Sequence, residues 1–396
     1  MRIAYVCADP GVPVYGHKGS SIHVQEVIRA LQSHGARVEL FATRLGGDPP
    51  PGFEPIRLHR LPPIPRGEPA AREQAALAAN RDLRAALVEA GPFDLIYERY
   101  SLWSYAAMET AREAGVPGLL EVNAPLIEEQ AAFRQLVNRA PAEQVARRVF
   151  SAATVLIAVS DEVATFLNSY PVAASHIHVL PNGVNPERFA LNTSPSRPGR
   201  SGEFIIGFVG TLKPWHGLEV LAEAFCRLHR QVPTARLLVV GGGPEGAGMQ
   251  ADLTRRGLRH AVEFTGPVDP DRVPGLLASM DAAVAPYPAL DRFYFSPLKV
   301  YEYMAAGRAT VASRIGQLAN LIEDGVNGLL CPPGDPAALA AAFYRLHSEP
   351  ELRARLGQSA RLTVLQNHTW AANARRILGL AGLEPSLSAV DWEATH

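Results

Sequence analysis

The sequence has few cysteines, no excess of charge of either sign and no long apolar runs. Each of these absences excludes a class of protein. Three cysteines lie far apart among 396 residues, without CxxC spacing. This pattern excludes a disulfide framework or a cysteine zinc site and suits buried thiols in a reducing compartment. The 38 basic residues balance 39 acidic ones, for a formal net charge of -1. That balance argues against a nucleic-acid partner, since such proteins carry basic surfaces.

No window approaches the roughly 18–20 apolar residues that span a bilayer. The first seven residues carry one arginine and a strand-like apolar run that stops at Asp9-Pro10-Gly11. They lack the longer apolar stretch and the cleavage site of a signal peptide. We therefore predict a cytoplasmic protein. Arginines between residues 134 and 148 leave open a peripheral contact at the inner membrane face, although a solvated helix face explains them more simply.

Short apolar runs alternate with longer helical patterns in both halves of the chain, and 47% of the residues are hydrophobic. Strands separated by helices predict parallel, doubly wound sheets, because parallel strands require crossover connections. The polar, Pro/Gly-rich residues 191–202 predict a linker. We predict an N-terminal domain at 1–190 and a second domain at 203–368. Residues 369–396 are predicted as a final helix followed by a tail.

Three glycine-containing turns precede predicted helices, where exposed amides and the helix dipole bind phosphate. The first, residues 16–21, offers Gly19 for close approach and Ser20 as a hydroxyl donor; a flexible loop with a serine cap is the alternative. The second, residues 210–217, could place Lys213 and His216 beside a diphosphate, or could hold only a surface lysine and a capping histidine.

The third turn, residues 241–246, matches GxGxxG after a predicted strand, with Glu263 downstream. This pattern supports a rival interpretation, an oxidoreductase that uses a nicotinamide or flavin cofactor. However, Pro244 stands where the turn should supply a free N–H. A tight glycine turn with Pro244 at a helix start explains the same residues without a cofactor.

The order of several motifs resembles glycosyltransferase family 4, retaining enzymes of the GT-B fold, over nearly the whole chain. Residues 18–24 (KGSSIHV) are similar to GGxxxHV, and residues 180–189 (LPNGVNPERF) to PNGVDxxxF. Residues 209–217, 239–244, 296–307 and 323–330 look like the donor-phosphate loop, the strand-turn after it, the donor-binding helix and the DGxNGLL segment. The resemblance implies two Rossmann-like doubly wound domains that face a central cleft, and a final helix, within residues 369–396, that crosses back to the first domain.

The resemblance also assigns roles to single residues. Glu302 would accept hydrogen bonds from the donor ribose, and Lys213 would neutralise the diphosphate as leaving-group charge grows. The amide of Gly19 would meet the distal phosphate, and main-chain groups at Val268 would read the base. The other predicted donor contacts are Ser20, Gly210, Thr211, His216, Tyr294, Ser296, Leu298 and Lys299.

Three departures from the family pattern bear on the chemistry. Tyr294 stands at the first glutamate of E-x7-E, which leaves the donor sugar open. Thr211 and His216 stand at the usual arginine and lysine of the phosphate loop, so that Lys213 and Lys299 become the predicted cationic pair. Asn123 stands where a histidine often lies near the reacting sugar; it can orient a hydroxyl but cannot act as a general base.

The resemblance implies a retaining, metal-independent hexosyltransferase that uses a nucleotide-sugar, a UDP-sugar by preference. The leaving diphosphate would help to deprotonate the acceptor on the same face of the sugar. No cofactor or metal is predicted, and the acceptor is left open among a saccharide, a lipid-linked molecule and a small polar molecule. A second rival is a nucleotide-sugar-binding protein without transfer activity, which Tyr294 suggests.

Overall fold

The computed structural model describes residues 1–383, which divide into two compact units. Among the described residues, unit 1 comprises Met1–Pro181 together with residues 370–383, and unit 2 comprises Asn182–Thr369. Residues 384–396, which belong to the predicted tail, lie outside the described residues. Each unit contains one parallel sheet with its own apolar core.

The sheet of unit 1 has seven parallel strands in the order β3-β2-β1-β4-β5-β6-β7. Its strands are β1 (Arg2–Cys7), β2 (Arg37–Ala42), β3 (Arg57–Arg60), β4 (Leu95–Arg99), β5 (Gly118–Val122), β6 (Val155–Ala158) and β7 (Ile177–Val179). Its helices are α1 (Gly19–Ser33), α2 (Pro69–Ala78), α3 (Asn80–Ala90), α4 (Ala106–Ala114), α5 (Leu126–Phe133), α6 (Arg139–Ala152) and α7 (Asp161–Leu167). The central strands are buried on both faces, as parallel sheets require.

The sheet of unit 2 has six parallel strands in the order β10-β9-β8-β11-β12-β13. They are β8 (Phe204–Val209), β9 (Ala235–Val240), β10 (Val262–Gly266), β11 (Ala282–Ala285), β12 (Ala309–Ser313) and β13 (Leu329–Cys331). The helices are α8 (Leu218–Gln231), α9 (Gly246–Arg255), α10 (Val273–Ala278), α11 (Leu298–Ala305), α12 (Gly316–Leu321), α13 (Pro336–Ser348) and α14 (Pro350–Asn367).

The last helix, α15 (Trp370–Leu380), belongs to unit 1 and packs on α1. Trp370 is buried, and its ring meets the His23 ring edge-on with 5.0 Å between centroids. The amide of Asn373 donates a 2.7 Å hydrogen bond to the carbonyl of Pro181. Unit 1 is therefore assembled from both ends of the chain.

The unit boundary lies at Pro181, ahead of the polar segment 191–202 that the sequence predicts as a linker. The intervening residues belong to unit 2 because their contacts lie there. The Asn182 amide nitrogen donates to Ser296 Oγ at 3.0 Å, and Val184 forms a β-bridge with Thr369. Phe189 is 1% exposed within the apolar cluster of unit 2.

Candidate active site

The phosphate-loop candidate of unit 2 connects β8 to α8 through two glycines with positive φ. Gly210 has φ +148°, and Gly217, at the amino end of α8, has φ +68°. A Cβ at Gly217 would lie 1.7 Å from the carbonyl oxygen of Pro286. Between them Pro214–His216 forms a 3₁₀ turn. The backbone of this loop therefore requires glycine at both positions.

His216, at the position of the family's usual lysine, is neutral. Its Nδ1 lies 2.5 Å from the carbonyl oxygen of Thr211, a hydrogen bond within the loop. Burial, followed by the nearby Lys299 charge, lowers the pKa of His216 to about 3. His216 therefore fastens the loop and supplies no positive charge for a phosphate near neutral pH. Thr211, at the usual arginine, is exposed.

Lys299, in the first turn of α11, brings a positive group beneath this loop. Its Nζ is enclosed, lies 4.2 Å from the ring centroid of Phe208 and has no hydrogen-bond partner among residues 1–383. A Cβ on Gly210 would lie 3.1 Å from Nζ, so the amine adjoins the loop backbone. Desolvation lowers the pKa of Lys299 to about 7, opposed by the Glu302 charge.

Lys213 is the other lysine of this region. It is half-buried at the start of the 3₁₀ turn, and its Nζ lies 5.5 Å from the Trp215 ring centroid. The whole sequence contains only three lysines, Lys18, Lys213 and Lys299. Two of the three therefore flank the phosphate-loop candidate, and Lys18 precedes α1 in unit 1.

Glu302, the predicted ribose ligand, lies one turn further along α11 and is half-buried. Its Oε1 is 3.7 Å from Nη1 of Arg188, whose Nη2 donates a 3.2 Å hydrogen bond to the carbonyl of Pro270. Pro270 follows Val268, the predicted base-reading position, which is also half-buried. Arg188 thus connects the two predicted nucleoside contacts, a role that sequence reasoning missed because residue 188 lies far from both in the chain.

The segment before α11 is aromatic. Phe293 is buried against Tyr287 with 4.8 Å between ring centroids, and the Tyr294 and Phe295 rings lie 4.4 Å apart. Ser296 is buried: its carbonyl accepts from Asn182 Nδ2 at 2.5 Å, and its hydroxyl accepts from the Asn182 backbone. Leu298, half-buried, is the first residue of α11.

The glycine-rich turn at 241–246 contacts protein backbone. A Cβ on Gly241 would lie 2.0 Å from the carbonyl oxygen of Gly210, and one on Gly243 would lie 2.4 Å from that of Leu212. The Leu212 amide donates to the Gly242 carbonyl, and the Glu245 amide donates to the Leu212 carbonyl. The close approach that explains these glycines is therefore to the phosphate-loop candidate and requires no dinucleotide.

In unit 1, Gly19 and Ser20 are the first two residues of α1. Gly19 is exposed and Ser20 half-buried, and the first amides of a helix have no intrahelical acceptor. The structure therefore leaves the predicted phosphate contact of Gly19 accessible at a helix terminus.

Asn123 follows β5 and is half-buried. Its Nδ2 donates a 2.8 Å hydrogen bond to Oε1 of Glu121, while its Oδ1 is enclosed without a hydrogen-bond partner among the described residues. Glu121 Oε1 also lies 2.7 Å from Nε2 of His23 and 3.3 Å from Nη1 of Arg99. The second oxygen of Glu121 accepts from the hydroxyl of Tyr97.

The charge of Glu121 is stabilised by this cluster of donors. Burial alone would raise the pKa of the carboxyl, but His23, Arg99 and Tyr97 together lower it to about 2. Sequence reasoning missed Glu121, since a single glutamate in an apolar strand carries no motif. The only available signal was its position two residues before Asn123.

Unit 1 also contains a cavity of about 550 Å³ at the carboxyl ends of its strands. Its lining includes Lys18, Arg44 and Arg72, none of which pairs with a carboxylate among residues 1–383 in the ion pairs that the structure shows. Ser101 and Asn80 add polar groups, and Trp103 adds an apolar wall. Ligands of open parallel sheets bind at this edge.

The arginines between residues 134 and 148, for which the sequence leaves a membrane contact open, are paired with acidic neighbours. Arg139 lies near Glu128 and Glu143, and Arg148 forms two 2.9 Å hydrogen bonds with Glu109. Of the helices within residues 1–383, none combines the length and the apolar composition that a bilayer crossing demands. The same residues contain no group of three or more His, Cys, Asp or Glu side chains arranged to hold a metal.

Two parallel Rossmann-like sheets in consecutive units define the class of GT-B folds. Solved structures agree on the fold. Sucrose-phosphate synthase from Thermosynechococcus elongatus matches with a TM-score of 0.73 and 24% identity, over 96% of this chain and 98% of that one. Anabaena HepE, solved in complex with UDP-glucose, matches with a TM-score of 0.72 and 20% identity, over 96% and 99%.

Two family models match successive parts of the chain. The model of Glycosyltransferase Family 4 matches residues 17–188, and that of Glycosyl transferases group 1 matches residues 203–349. The D-inositol 3-phosphate glycosyltransferase of Acidothermus cellulolyticus is 29% identical over 94% of this chain and 86% of its own length. That of Stackebrandtia nassauensis is 28% identical over 92% and 86%. The chain belongs to glycosyltransferase family 4 and is a glycosyltransferase.

Proposed function

We propose that this enzyme transfers a hexose from a UDP-sugar to a hydroxyl of a small acceptor that carries a phosphate group, with retention of anomeric configuration. The observation that carries the proposal is the placement of Lys213 and Lys299 at the phosphate-loop candidate, with Glu302 one turn further along α11. This arrangement offers cations to a pyrophosphate and a carboxylate to a ribose. The binding of UDP-glucose by HepE supports the choice of nucleotide.

In the proposed transfer, the charged residues and the uncharged Asn123 have different roles. Negative charge on the leaving diphosphate grows during transfer, and the two lysines and the loop amides stabilise it, which lowers the barrier without a metal. Asn123 cannot accept a proton near neutral pH, so the leaving phosphate oxygen takes the proton of the attacking hydroxyl on the same face of the sugar. Positioning and charge stabilisation therefore supply the catalysis.

The acceptor part of the proposal rests on the unit 1 cavity. Lys18, Arg44 and Arg72 offer charged hydrogen-bond donors, which suit a phosphate group. The lining also contains Asp9, Glu73 and Glu129, of which Glu129 lies near Arg134 and Glu73 accepts from the amides of Val137 and Asn138. The cavity's polar lining suits additional hydroxyls. The names of the relatives, D-inositol 3-phosphate glycosyltransferases, point to an acceptor of the same chemistry.

The donor is tested by thermal shift with UDP-, GDP- and ADP-sugars, where only the UDP-sugar should raise the melting temperature. In a transfer assay with D-inositol 3-phosphate, Lys213→Ala and Glu302→Ala should each lower kcat/KM by about 100-fold or more, as losses of charged contacts do. Glu351→Ala, an exposed helix position of unit 2, is the control and should retain full activity.

Acceptor choice is tested in the same assay by comparing D-inositol 3-phosphate with unphosphorylated inositol. The phosphorylated compound should be preferred, and Arg72→Gln should reduce that preference, whereas Arg81→Gln on the neighbouring exposed surface should not. Equal activity on both acceptors refutes the phosphate requirement. Full activity of Glu302→Ala or Lys213→Ala refutes the assigned donor site.

A further inference from the structure

Glu121 lies in a position that the donor and acceptor sites do not explain. It stands near the carboxyl end of β5, opposite Arg99 of β4, and is 3% exposed. A buried charge is costly unless hydrogen bonds compensate it. Here compensation is extensive, because His23, Arg99, Asn123 and Tyr97 all approach its two oxygens.

Among these four partners, Asn123 has a second side-chain polar atom, Oδ1, that does not hydrogen-bond to Glu121. Because the Asn123 Nδ2 group donates to Glu121 Oε1 at 2.8 Å, the carboxamide is oriented with Oδ1 on its other side. That Oδ1 is enclosed and has no hydrogen-bond partner among the described residues. An enclosed acceptor left without a donor is destabilising, so this orientation is explained if a ligand hydroxyl donates to it.

The other partners make the orientation rigid. His23 Nε2 lies 2.7 Å from the same Oε1 and is itself held edge-on against Trp370. Tyr97, which donates to the second oxygen of Glu121, is stacked on Tyr5 with 5.3 Å between ring centroids. The carboxylate is therefore fixed by a strand, a helix and an aromatic stack before any substrate arrives.

We propose that Glu121 is a positioning residue, whose buried carboxylate fixes the Asn123 carboxamide so that Asn123 Oδ1 accepts a hydrogen bond from a substrate hydroxyl during transfer. The inference rests on the proposed function, because it assumes that Asn123 faces the reacting groups. It extends that function, because the orientation of the Asn123 carboxamide is then set by Glu121, a residue that does not contact the substrate. The hydroxyl belongs to the donor sugar or to the acceptor, and the experiment separates the two.

The test is a double-mutant cycle with Glu121→Gln and Asn123→Ala in the full chain. A glutamine at 121 is uncharged and has a single acceptor oxygen, for which His23 and Arg99 compete, so the hydrogen bond that orients Asn123 is weakened. We expect kcat to fall about 10–100-fold in each single variant, as small misplacements of reacting groups do, with UDP-induced thermal stabilisation unchanged. In the double variant the second change should add less than twofold, because both act through one contact.

Glu39→Gln is the matched control. Glu39 is fully buried in β2 of the same sheet, is held by Arg2 and His59, and has a lowered pKa, yet has no contact with Asn123. It should destabilise unit 1 to a similar extent without changing kcat. If the Glu121→Gln variant does not fold, Glu121→Asp takes its place in the double-mutant cycle. It keeps a negative charge in the cluster, but the shorter side chain withdraws the carboxylate oxygen from Asn123, and it should lower kcat about as much.

Donor hydrolysis without acceptor identifies the hydroxyl. If Glu121→Gln slows both hydrolysis and transfer, the hydroxyl belongs to the donor sugar; if only transfer slows, it belongs to the acceptor. Wild-type kcat in Glu121→Gln, or additive losses in the double variant, overturns the positioning role. Absence of any sugar transfer by the wild-type protein overturns the proposed function instead, so the two failures are distinguishable.

Discussion

At the scale of single residues, the amine of Lys299 lies in an unusual place for an ammonium ion. It is enclosed near the rings of Phe208 and Tyr287, and desolvation lowers its pKa to about 7 from an ordinary 10.5. The unfolded chain therefore binds more protons than the folded one between these values, so this residue reduces stability below about pH 7 and the penalty fades as pH rises. A bound pyrophosphate would reverse the effect by favouring the charged form.

This reversal predicts a pH dependence of donor binding. Below about pH 7 the free enzyme already carries the charge, so affinity for the nucleotide-sugar should be constant. Above it, binding must recharge the amine, and affinity should fall by up to about tenfold per pH unit. Calorimetry at pH 8 in buffers of different ionisation enthalpy should show proton uptake. Lys299→Met should bind weakly at every pH without uptake; proton uptake that persists in this variant assigns the effect elsewhere.

At the scale of elements, the turn between β9 and α9 supports the loop between β8 and α8. The two segments exchange backbone hydrogen bonds through Leu212, Gly242 and Glu245. Positive φ at Gly241 and Gly243, with no room for a Cβ, allows this contact. A GxGxxG pattern, which from sequence suggests a dinucleotide site, here supports the neighbouring phosphate-loop candidate.

Gly243→Ala should therefore weaken donor binding without touching the donor. Its Cβ would lie 2.4 Å from the Leu212 carbonyl oxygen, which forces that loop to move. We expect a loss of about 1–3 kcal/mol in the free energy of unfolding and at least tenfold weaker UDP-sugar binding by calorimetry. Gly248→Ala in α9, where a Cβ meets nothing within 4 Å, should instead stabilise slightly and bind normally. Normal binding by both variants contradicts the supporting role.

At the scale of the whole molecule, the chain leaves unit 1 after Pro181 and returns to it at Trp370. The returning helix α15 covers α1, whose first turns carry Gly19, Ser20 and His23. The geometry of the amino-terminal site thus depends on residues at the far end of the sequence. Folding of unit 1 requires a contact of high sequence separation, which local preference cannot supply.

Trp370→Ala should destabilise unit 1 selectively. Removal of a buried tryptophan costs about 3–5 kcal/mol, and the His23 ring loses its edge contact. Hydrogen exchange of the α1 amides should accelerate while the strands of unit 2 keep their protection. Tyr344→Ala, which removes an exposed aromatic ring of unit 2, should change neither. Equal acceleration in both units contradicts the assignment of α15 to unit 1.

Local patterns in the sequence are more informative about the two sheets than about single elements. The alternation of apolar runs and helices predicted two parallel sheets, and both are confirmed. The alanine-rich segment 69–90 forms two consecutive helices, α2 and α3, which meet at Ala79, and the Asn80 side chain accepts from the amides of Tyr105 and Ala106. Strand β7 has only three residues, all half-buried, which is too short for an apolar pattern in the sequence.

The sequence by itself determined the two sheets, the order of the family motifs and therefore the class of reaction, because element type follows the period of apolar residues and motifs are local. Only the tertiary structure decided that Lys299 reaches beneath Gly210, that Arg188 links Glu302 to Pro270, and that Glu121 orients Asn123. Each of these depends on which elements pack together. A side chain's charge, orientation and partner are set by neighbours that are distant in the chain.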